Sequence, residues 1–225
     1  MGQRVEFPSN GHTCSGYLAV PASGQGPAVV VIQEWWGLVP HIEDLVERFA
    51  EEGFLAIAPD LYHGKTTKSP DDAMKLLMEL DAEGAGREIA GAAAALLARP
   101  ECTSRTWGVV GFCMGGALAQ YAATKEANVG AAVSFYGGFK KVRIDWAALH
   151  APLLLFYGEE DKSVSAEQGV TLARELRESG KDVEAVVYAG ADHAFFNDMR
   201  KEAYDGVAAQ DAWKRTLEHF RKHVK

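Results

Sequence analysis

A run of small and β-branched residues, Ala-Val-Val-Val-Ile at positions 28–32, restricts the fold of this chain more than any other feature. A strand with one face in water alternates apolar and polar residues, whereas a strand of a parallel sheet is covered on both faces and is apolar throughout. Five further strand-like runs follow, at residues 54–58, 106–110, 131–135, 152–157 and 183–187. Helical patterns separate them, and this alternation predicts a mainly parallel sheet between two layers of helices.

Two short β-like segments precede the first buried run. They lie at residues 4–7 and 15–20 and flank the turn-forming Pro-Ser-Asn-Gly, which predicts an N-terminal antiparallel hairpin. Helices are predicted at residues 41–52, 71–80, 87–98, 117–125 and 207–224. The last of them carries an apolar stripe that would pack on the sheet. The pattern predicts a three-layer α/β sandwich that forms a single domain over residues 1–225.

The composition excludes several classes of protein. Apolar residues make up 48% of the 225 and charged residues 24%, which is typical of a globular chain with a substantial core. The net charge of −8 disfavours binding to nucleic acid or to an anionic membrane surface. The first residues lack the apolar segment of a secretion signal, and no apolar stretch is long enough to span a membrane. We therefore expect a cytoplasmic protein without nucleic-acid or membrane partners, and the sequence indicates no oligomeric state.

The cysteines and histidines form no metal-binding motif. Cys14, Cys102 and Cys113 are an odd number at irregular spacing and include no Cys-x-x-Cys pair, which argues against a disulfide framework or a zinc site. His219 and His223 are four residues apart on a predicted helix, but no third ligand accompanies them, so we expect them to face solvent. The sequence therefore predicts no metal and no organic cofactor.

One cysteine stands in a pattern that predicts catalysis. Cys113 lies between a predicted strand and a predicted helix, with glycines two residues before it and two and three residues after it. Such a sharp turn strains the backbone of the nucleophile and brings neighbouring backbone too close for side chains. The helix N-terminus directs free N–H groups at the site, which favours a thiolate and an oxyanion. An isolated cysteine is usually a small buried hydrophobe, but this combination of strand, turn and helix favours a nucleophile.

A nucleophile on this turn needs a base and an orienting acid. In folds of this type the three follow in the chain order nucleophile, acid, histidine. Asp161 comes just beyond the carboxyl end of one predicted strand, and His193 lies in a glycine-containing loop after the next. We therefore predict a catalytic triad of Cys113, His193 and Asp161.

The oxyanion that forms during acyl transfer needs two N–H donors. One comes from the residue after the nucleophile, Met114, and the other from the loop after the first central strand, where Trp35 is the natural donor. Trp35 and the adjacent Trp36 would also wall the substrate pocket. Packing in the core or at an interface is an equally open role for this pair.

Taken together, these residues resemble the dienelactone hydrolase (carboxymethylenebutenolidase-like) family of the α/β-hydrolase superfamily over nearly the whole chain. The matching motifs are Gln-Glu at 33–34, Ala-Pro-Asp-Leu-Tyr at 58–62, Gly-Phe-Cys-Met-Gly-Gly-Ala at 111–117, Phe-Tyr-Gly-Gly at 135–138, Gly-Glu-Glu-Asp at 158–161 and Asp-His-Ala-Phe at 192–195. The resemblance implies an α/β-hydrolase fold, with Cys113 as nucleophile, His193 as base and Asp161 as its orienting acid.

The resemblance also implies a catalytic role for Glu34, which the residues alone predict to be a surface carboxylate. In this family the matching glutamate contacts a neutral thiol in the resting enzyme and helps to deprotonate it when substrate binds, which would protect Cys113 from oxidation. The implied reaction is attack of the thiolate on an ester or lactone carbonyl, followed by hydrolysis of the acyl-enzyme. The side chains expected to contact substrate are Trp36, Tyr136, Phe195 and Asn197.

The sequence defines the substrate less sharply than it defines the catalytic residues. Members of the family that cleave dienelactone hold the substrate carboxylate with two arginines, and the matching places here hold Pro70 or a near neighbour, and Asn197. Arg200 and Arg87 lie out of register, so a neutral or differently shaped ester or lactone is an equal expectation. Two alternatives stay open: a non-catalytic or redox-responsive thiol protein on the same fold, and a triad enzyme with another chemistry, such as a different acyl transfer or a dehalogenation.

Overall fold

The computed structural model describes residues 2–225 and places their strands in one sheet of eight. The strands are β1 (Gln3–Ser9), β2 (His12–Ala19), β3 (Gly26–Ile32), β4 (Leu55–Pro59), β5 (Cys102–Phe112), β6 (Val129–Phe135), β7 (Leu153–Gly158) and β8 (Val183–Tyr188). Their order across the sheet is β1-β2-β4-β3-β5-β6-β7-β8. Strand β2 runs antiparallel to β1 and β4, and the other neighbouring strands are parallel. The predicted mainly parallel sheet and the N-terminal hairpin are both confirmed.

Helices cover both faces of this sheet. They are α1 (Pro40–Glu51), α2 (Pro70–Glu79), α3 (Ala82–Leu97), α4 (Met114–Lys125), α5 (Ala166–Glu178) and α6 (Gly206–His223), with a short 3-10 helix at Trp146–Ala148. Helices α1 and α6 pack on one face, and α3, α4 and α5 pack on the other. The predicted three-layer sandwich is therefore confirmed. Within residues 2–225, no helix combines the length and the apolar character that crossing a bilayer requires.

The central strand β3 shows why its sequence is apolar throughout. Val30 and Ile32 point into the core under α3 and α4, whereas Val29 and Val31 point into the core under α1 and α6. All four side chains are fully buried. Because successive residues of a strand face opposite sides of the sheet, the residues on both faces of β3 have to be apolar.

The hairpin turn is tighter than the four residues predicted. Asn10 and Gly11 have φ angles of 53° and 80°, and strand pairing continues up to Ser9 opposite His12. Asn-Gly favours a two-residue turn in which both residues have a left-handed backbone conformation. The two strands therefore extend closer to the turn than their apolar residues predict. Pro8 is tolerated because β1 is an edge strand.

Two helices begin earlier than the sequence pattern predicts. Helix α3 starts at Ala82 rather than at residue 87, because the Asp81 side chain accepts a hydrogen bond of 3.1 Å from the Glu83 N–H and caps the helix. Helix α4 starts at Met114 rather than at residue 117, so the glycines after Cys113 form its first turn. The helix N-terminus therefore begins directly at the candidate nucleophile.

Helix α6 confirms the apolar stripe but corrects the prediction for one histidine. The stripe consists of Trp213, Leu217, Phe220 and Val224, of which the last three are buried. His219 is only partly exposed, and its Nε2 lies 3.2 Å from the carbonyl oxygen of Pro152, just before β7. Burial lowers the pKa of His219 to about 4, so the ring is neutral and donates to that carbonyl.

Candidate active site

The turn that carries Cys113 has the strained geometry expected of a nucleophile elbow. Cys113 has φ 55° and ψ −117° between β5 and α4, in a region that residues with a side chain rarely occupy. Its N–H donates to the Phe135 carbonyl at 3.0 Å, which ties the turn to the end of β6. The side chain is partly exposed. The fold thus presents the sulfur at the carboxyl edge of the sheet, where the sequence predicted it.

Two glycines are required because backbone segments meet at this turn. A Cβ on Gly111 would lie 1.9 Å from the Gly115 carbonyl oxygen, and a Cβ on Gly115 would lie 2.5 Å from the Gln33 carbonyl oxygen. Neither carbonyl can yield without moving a strand or the helix start. Glycine at both positions lets β3, β5 and α4 pack this closely.

We expect Gly115→Ala to lower the free energy of unfolding by about 3 kcal/mol, near the upper end of the usual range for forcing atoms into a packed interior. Urea unfolding followed by circular dichroism measures this change. Gly206→Ala is the matched control, because a Cβ at that helix start meets its nearest atom at 3.5 Å, an ordinary contact. We expect the control to stay within about 0.5 kcal/mol of the parent. Equal stability of the two variants would contradict the packing described here.

Asp161 fixes the orientation of His193. The Nδ1 atom of His193 lies 2.7 Å from Asp161 Oδ2. The other oxygen, Oδ1, accepts hydrogen bonds from the backbone N–H groups of Ser163 at 2.7 Å and Val164 at 2.9 Å. The Asp161 side chain is fully buried and the His193 side chain is 20% exposed. The carboxylate therefore holds the proton of the imidazole on Nδ1 and leaves Nε2 as the atom that can exchange a proton with a thiol.

Asp161 and His193 each stabilise the charged form of the other. Burial opposes the charged imidazolium, but hydrogen bonds to Asp161 and Cys113 and the charges of both groups outweigh burial and raise the pKa of His193 to about 10. Burial also disfavours the Asp161 carboxylate, yet the His193 contact and the two backbone N–H groups lower its pKa. The arrangement favours an ionised Asp161 and a protonated His193 next to the cysteine.

Glu34 is buried at the end of β3, which corrects the surface position that its residue type predicts. It is 2% exposed, and its Oε2 accepts a hydrogen bond of 2.8 Å from Asn197 Nδ2. Burial raises the pKa of Glu34, although Asn197 and the positive charges of His193 and Arg200 work in the opposite direction. A carboxyl group whose pKa is raised can accept or release a proton closer to neutral pH.

Tyr136 is a buried polar group with an unused hydroxyl. The residue is fully buried with φ 40°, and its ring lies 4.9 Å from that of His193 and 5.5 Å from that of Phe195. Within residues 2–225 its hydroxyl makes no hydrogen bond of normal geometry, although Glu34 lies close enough to interact with it. Burial and the neighbouring charges of Glu34 and Cys113 raise the pKa of this phenol well above its ordinary value. The hydroxyl is therefore a donor available to a substrate or to a rearranged Glu34.

The side chains predicted to contact substrate occupy two different places. Trp36 is partly exposed and packs edge-to-face on Trp35, with ring centroids 4.9 Å apart, on the loop after β3. Phe195 and Asn197 are buried behind the candidate catalytic groups, where Phe195 packs on Tyr136 and Asn197 donates a hydrogen bond to Glu34. Direct substrate contacts therefore remain a prediction for all of these residues.

The two predicted oxyanion donors have free N–H groups. Met114 is the first residue of α4, and Trp35 follows the end of β3 in the adjacent loop. Within residues 2–225, neither backbone N–H donates to another protein group. The Met114 side chain is buried, and its sulfur accepts a 3.4 Å contact from the Tyr62 hydroxyl. Helix N-terminal N–H groups of this kind favour a developing negative charge.

Arg200 is a candidate site residue that its sequence register does not reveal. It lies three residues after Asn197, and its positive charge acts on both Glu34 and Tyr136. Its side chain is 37% exposed, and its Nε donates to Glu202 at 3.0 Å. Arg87, the other out-of-register arginine, instead bonds to Asn10 of the hairpin. Only the fold of the loop after His193 brings Arg200 to the site.

Comparison with known proteins identifies relatives of this chain in sequence and in fold. The model of the dienelactone hydrolase family matches residues 14–224. "Protein usf" of Aquifex pyrophilus is 39% identical over 231 residues, and a "Putative carboxymethylenebutenolidase" of Aquifex aeolicus (strain VF5) is 35% identical over 232 residues; each match covers 100% of both chains. The crystal structure of a "Putative Dienelactone Hydrolase" from Klebsiella pneumoniae superposes with a TM-score of 0.89 at 30% identity, covering 99% of each chain.

Proposed function

The chain belongs to the dienelactone hydrolase family of α/β-hydrolases, which makes it a hydrolase of the ester and lactone type, and we propose that Cys113 is its nucleophile in a Cys113–His193–Asp161 triad. The observation that carries this proposal is the 2.7 Å bond between His193 and Asp161, next to a cysteine on a strained turn. We further propose that the protein is cytoplasmic and acts on a small molecule without binding nucleic acid.

The first step is activation of the thiol. Once the thiol has lost its proton, the raised pKa of His193 keeps an imidazolium beside the sulfur of Cys113, and the N-terminus of α4 adds a favourable dipole. Glu34 and Cys113 both act on the buried Tyr136 hydroxyl, which supports a position of this carboxylate close to the thiol. Its raised pKa makes Glu34 a suitable partner for a neutral thiol in the resting enzyme. When substrate binds, Glu34 assists the transfer of the thiol proton to His193, which forms the imidazolium.

The second step is acyl transfer. The thiolate attacks the ester or lactone carbonyl, and the N–H groups of Met114 and Trp35 stabilise the oxyanion. The carbon–oxygen bond then breaks, and the leaving alkoxide takes a proton from His193, which leaves a thioester on Cys113. A water molecule gives one proton to His193 and attacks the thioester; the carbon–sulfur bond breaks, the Cys113 sulfur takes that proton back, and the acid product is released. Asp161 stays ionised throughout and holds the imidazole in place.

We expect Glu34→Gln to stabilise the fold at pH 8 while it lowers the rate of thiol alkylation and of turnover. The folded-state pKa of Glu34 is raised, so its contribution to stability is full below the ordinary glutamate pKa and is lost as the pH rises through the folded value. Glutamine cannot ionise and avoids this loss. Melting temperatures of both proteins from pH 4 to pH 8 should therefore diverge as the pH rises.

Glu160→Gln is the control for this comparison, because it removes an exposed carboxylate close to the site. We expect it to give no pH-dependent gain and no change in turnover. A Glu34→Gln variant with parental melting temperatures at every pH, or with parental turnover, would contradict the proposed role of Glu34.

Substrate class depends on Arg200. Its charge lies near Glu34 and Tyr136, and it is partly exposed, so it can bind a carboxylate on the substrate. A matched panel of neutral and carboxylate-bearing esters and lactones tests this, with the parent and Arg200→Gln compared. We expect the substitution to raise KM for acidic substrates about tenfold and to leave neutral ones unchanged, in proportion to the loss of one charge-assisted hydrogen bond.

The same panel separates the proposed hydrolase from a redox-responsive thiol protein on the same fold. Partial exposure of Cys113 is the observation that favours the second reading. Turnover of esters or lactones supports the hydrolase. An absence of turnover throughout the panel, together with reversible oxidation of Cys113 by dilute peroxide, would overturn it.

A further inference from the structure

A cluster of metal-ligating side chains lies outside the triad, where the hairpin meets α3. His12 and Cys14 are two residues apart in β2 and so share one face of the strand. A ring nitrogen of His12, the Sγ of Cys14 and a carboxylate oxygen of Glu88 in α3 all lie within 4.8 Å of one another. From the loop after β4, His63 brings its Nε2 to 3.5 Å from Glu88 Oε1, and His12 Nε2 lies 3.3 Å from the same oxygen.

The hydrogen bond of His12 to the backbone directs its second ring nitrogen at Glu88. His12 Nδ1 lies 3.2 Å from the Asn10 carbonyl oxygen, which can only accept, so Nδ1 carries a proton. In neutral His12 the lone pair of Nε2 then faces the Glu88 carboxylate. Two electron-rich atoms at 3.3 Å repel each other unless a proton or a metal cation lies between them.

Glu88 lacks a permanent cationic partner. It is 5% exposed. Within residues 2–225 its ion-pair partners are His12 and His63, and no lysine or arginine is among them. A buried carboxylate without a fixed positive charge is costly, which is a second and independent reason to expect a cation at this position.

We propose that His12, Cys14 and Glu88 bind one zinc ion or a similar divalent cation, and that His63, which contacts Glu88, turns in as the fourth ligand. Zinc bonds to nitrogen, oxygen and sulfur of about 2.0–2.3 Å place the atoms of a tetrahedral ligand set about 3.3–3.8 Å apart, close to the two separations found here. The Nδ1 bond of His12 to a backbone carbonyl is the usual outer contact of a zinc-bound histidine. One thiolate and one carboxylate neutralise the ion, and the thiol proton is released on binding.

Such an ion would hold three separate parts of the fold together. It would join the hairpin and α3 to the loop after β4, next to Tyr62, whose hydroxyl contacts Met114 at the nucleophile turn. The sequence predicted no metal site, because these ligands come from separated segments and include no short Cys or His motif. The site is independent of the proposed hydrolase mechanism, since no triad residue belongs to it.

Titration of the reduced, full-length protein with cobalt(II) tests the proposal. We expect one cobalt per chain, with strong visible bands of a tetrahedral ion and a near-ultraviolet thiolate-to-cobalt band. Cys14→Ser should lose the thiolate band, whereas Cys113→Ala and Cys102→Ser should keep it. His12→Gln and His63→Gln, at two exposed positions that should fold normally, should each weaken binding at least about tenfold.

Zinc should also raise the melting temperature of the parent protein, and a chelator should reverse this rise. His12→Gln should show no such rise. The proposal is overturned if the parent gives no tetrahedral cobalt spectrum, if the thiolate band survives Cys14→Ser, or if it disappears in Cys113→Ala. The last result would assign the metal to the catalytic thiol. All of these readings are made without substrate, so they stand or fall separately from the hydrolase proposal.

Discussion

Replacement of Cys113 by alanine is expected to reduce kcat/KM for the best ester or lactone substrate by about 10⁵-fold, the scale of loss when a covalent nucleophile is removed. The residual rate would come from the oxyanion donors and from binding alone. Alanine should keep the elbow, because it has a Cβ like cysteine and accepts the same strained φ of 55° no worse. Initial rates on purified parent and variant measure the effect.

Cys102→Ser is the matched control for this experiment. Cys102 is partly exposed at the start of β5, at the opposite end of the strand from the proposed nucleophile. We expect its substitution to leave kcat and KM unchanged. If Cys113→Ala retained activity within about tenfold of the parent, the thiol could not be forming the acyl-enzyme.

Asp161→Asn should reduce kcat by about 10³–10⁴-fold with little change in KM, as expected when a triad histidine is held in the wrong tautomer. The backbone N–H groups of Ser163 and Val164 bind Oδ1, so they will retain the oxygen of the introduced amide. The NH₂ group of the introduced asparagine must then face His193 Nδ1. Because this NH₂ group is a donor, Nδ1 has to accept a hydrogen bond and cannot carry a proton. The proton moves to Nε2, and the imidazole cannot take a proton from Cys113.

Glu160→Gln again provides the control, because that neighbouring carboxylate is exposed and lies on the same turn. It should leave kcat unchanged. A loss in the Asp161→Asn variant that appears in KM rather than in kcat would assign the carboxylate to substrate binding. A loss accompanied by a lower melting temperature and lost secondary structure would be tested again with Asp161→Glu, which keeps the charge and should retain more activity than the amide.

The layers of this fold are predictable because burial on both faces imposes a continuous apolar pattern. In β3 the alternation between two cores requires Val29 and Val30 alike to be apolar. The turn at Cys113 is equally predictable, since glycine is the only residue that fits at positions 111 and 115. These features are local in the chain, so the sequence displays them directly.

Contacts between segments that are far apart in the chain could not be predicted from the sequence. Glu34 looks like a surface carboxylate, and its burial depends on Asn197, 163 residues further along the chain. The same is true of Arg200, which reaches the site through the loop after His193, and of Glu88, whose partners come from β2 and the loop after β4. In each case a polar residue of ordinary appearance acquires its role from tertiary structure.

Intact-mass measurement of protein quenched with acid during turnover of an activated ester tests the central claim most directly. Acid traps the thioester, so we expect a mass increase equal to the acyl group, located on Cys113 by peptide mapping. The increase should appear in the parent and be absent from Cys113→Ala. Turnover of the ester with no acyl group on Cys113, or with the acyl group on another residue, would contradict the account.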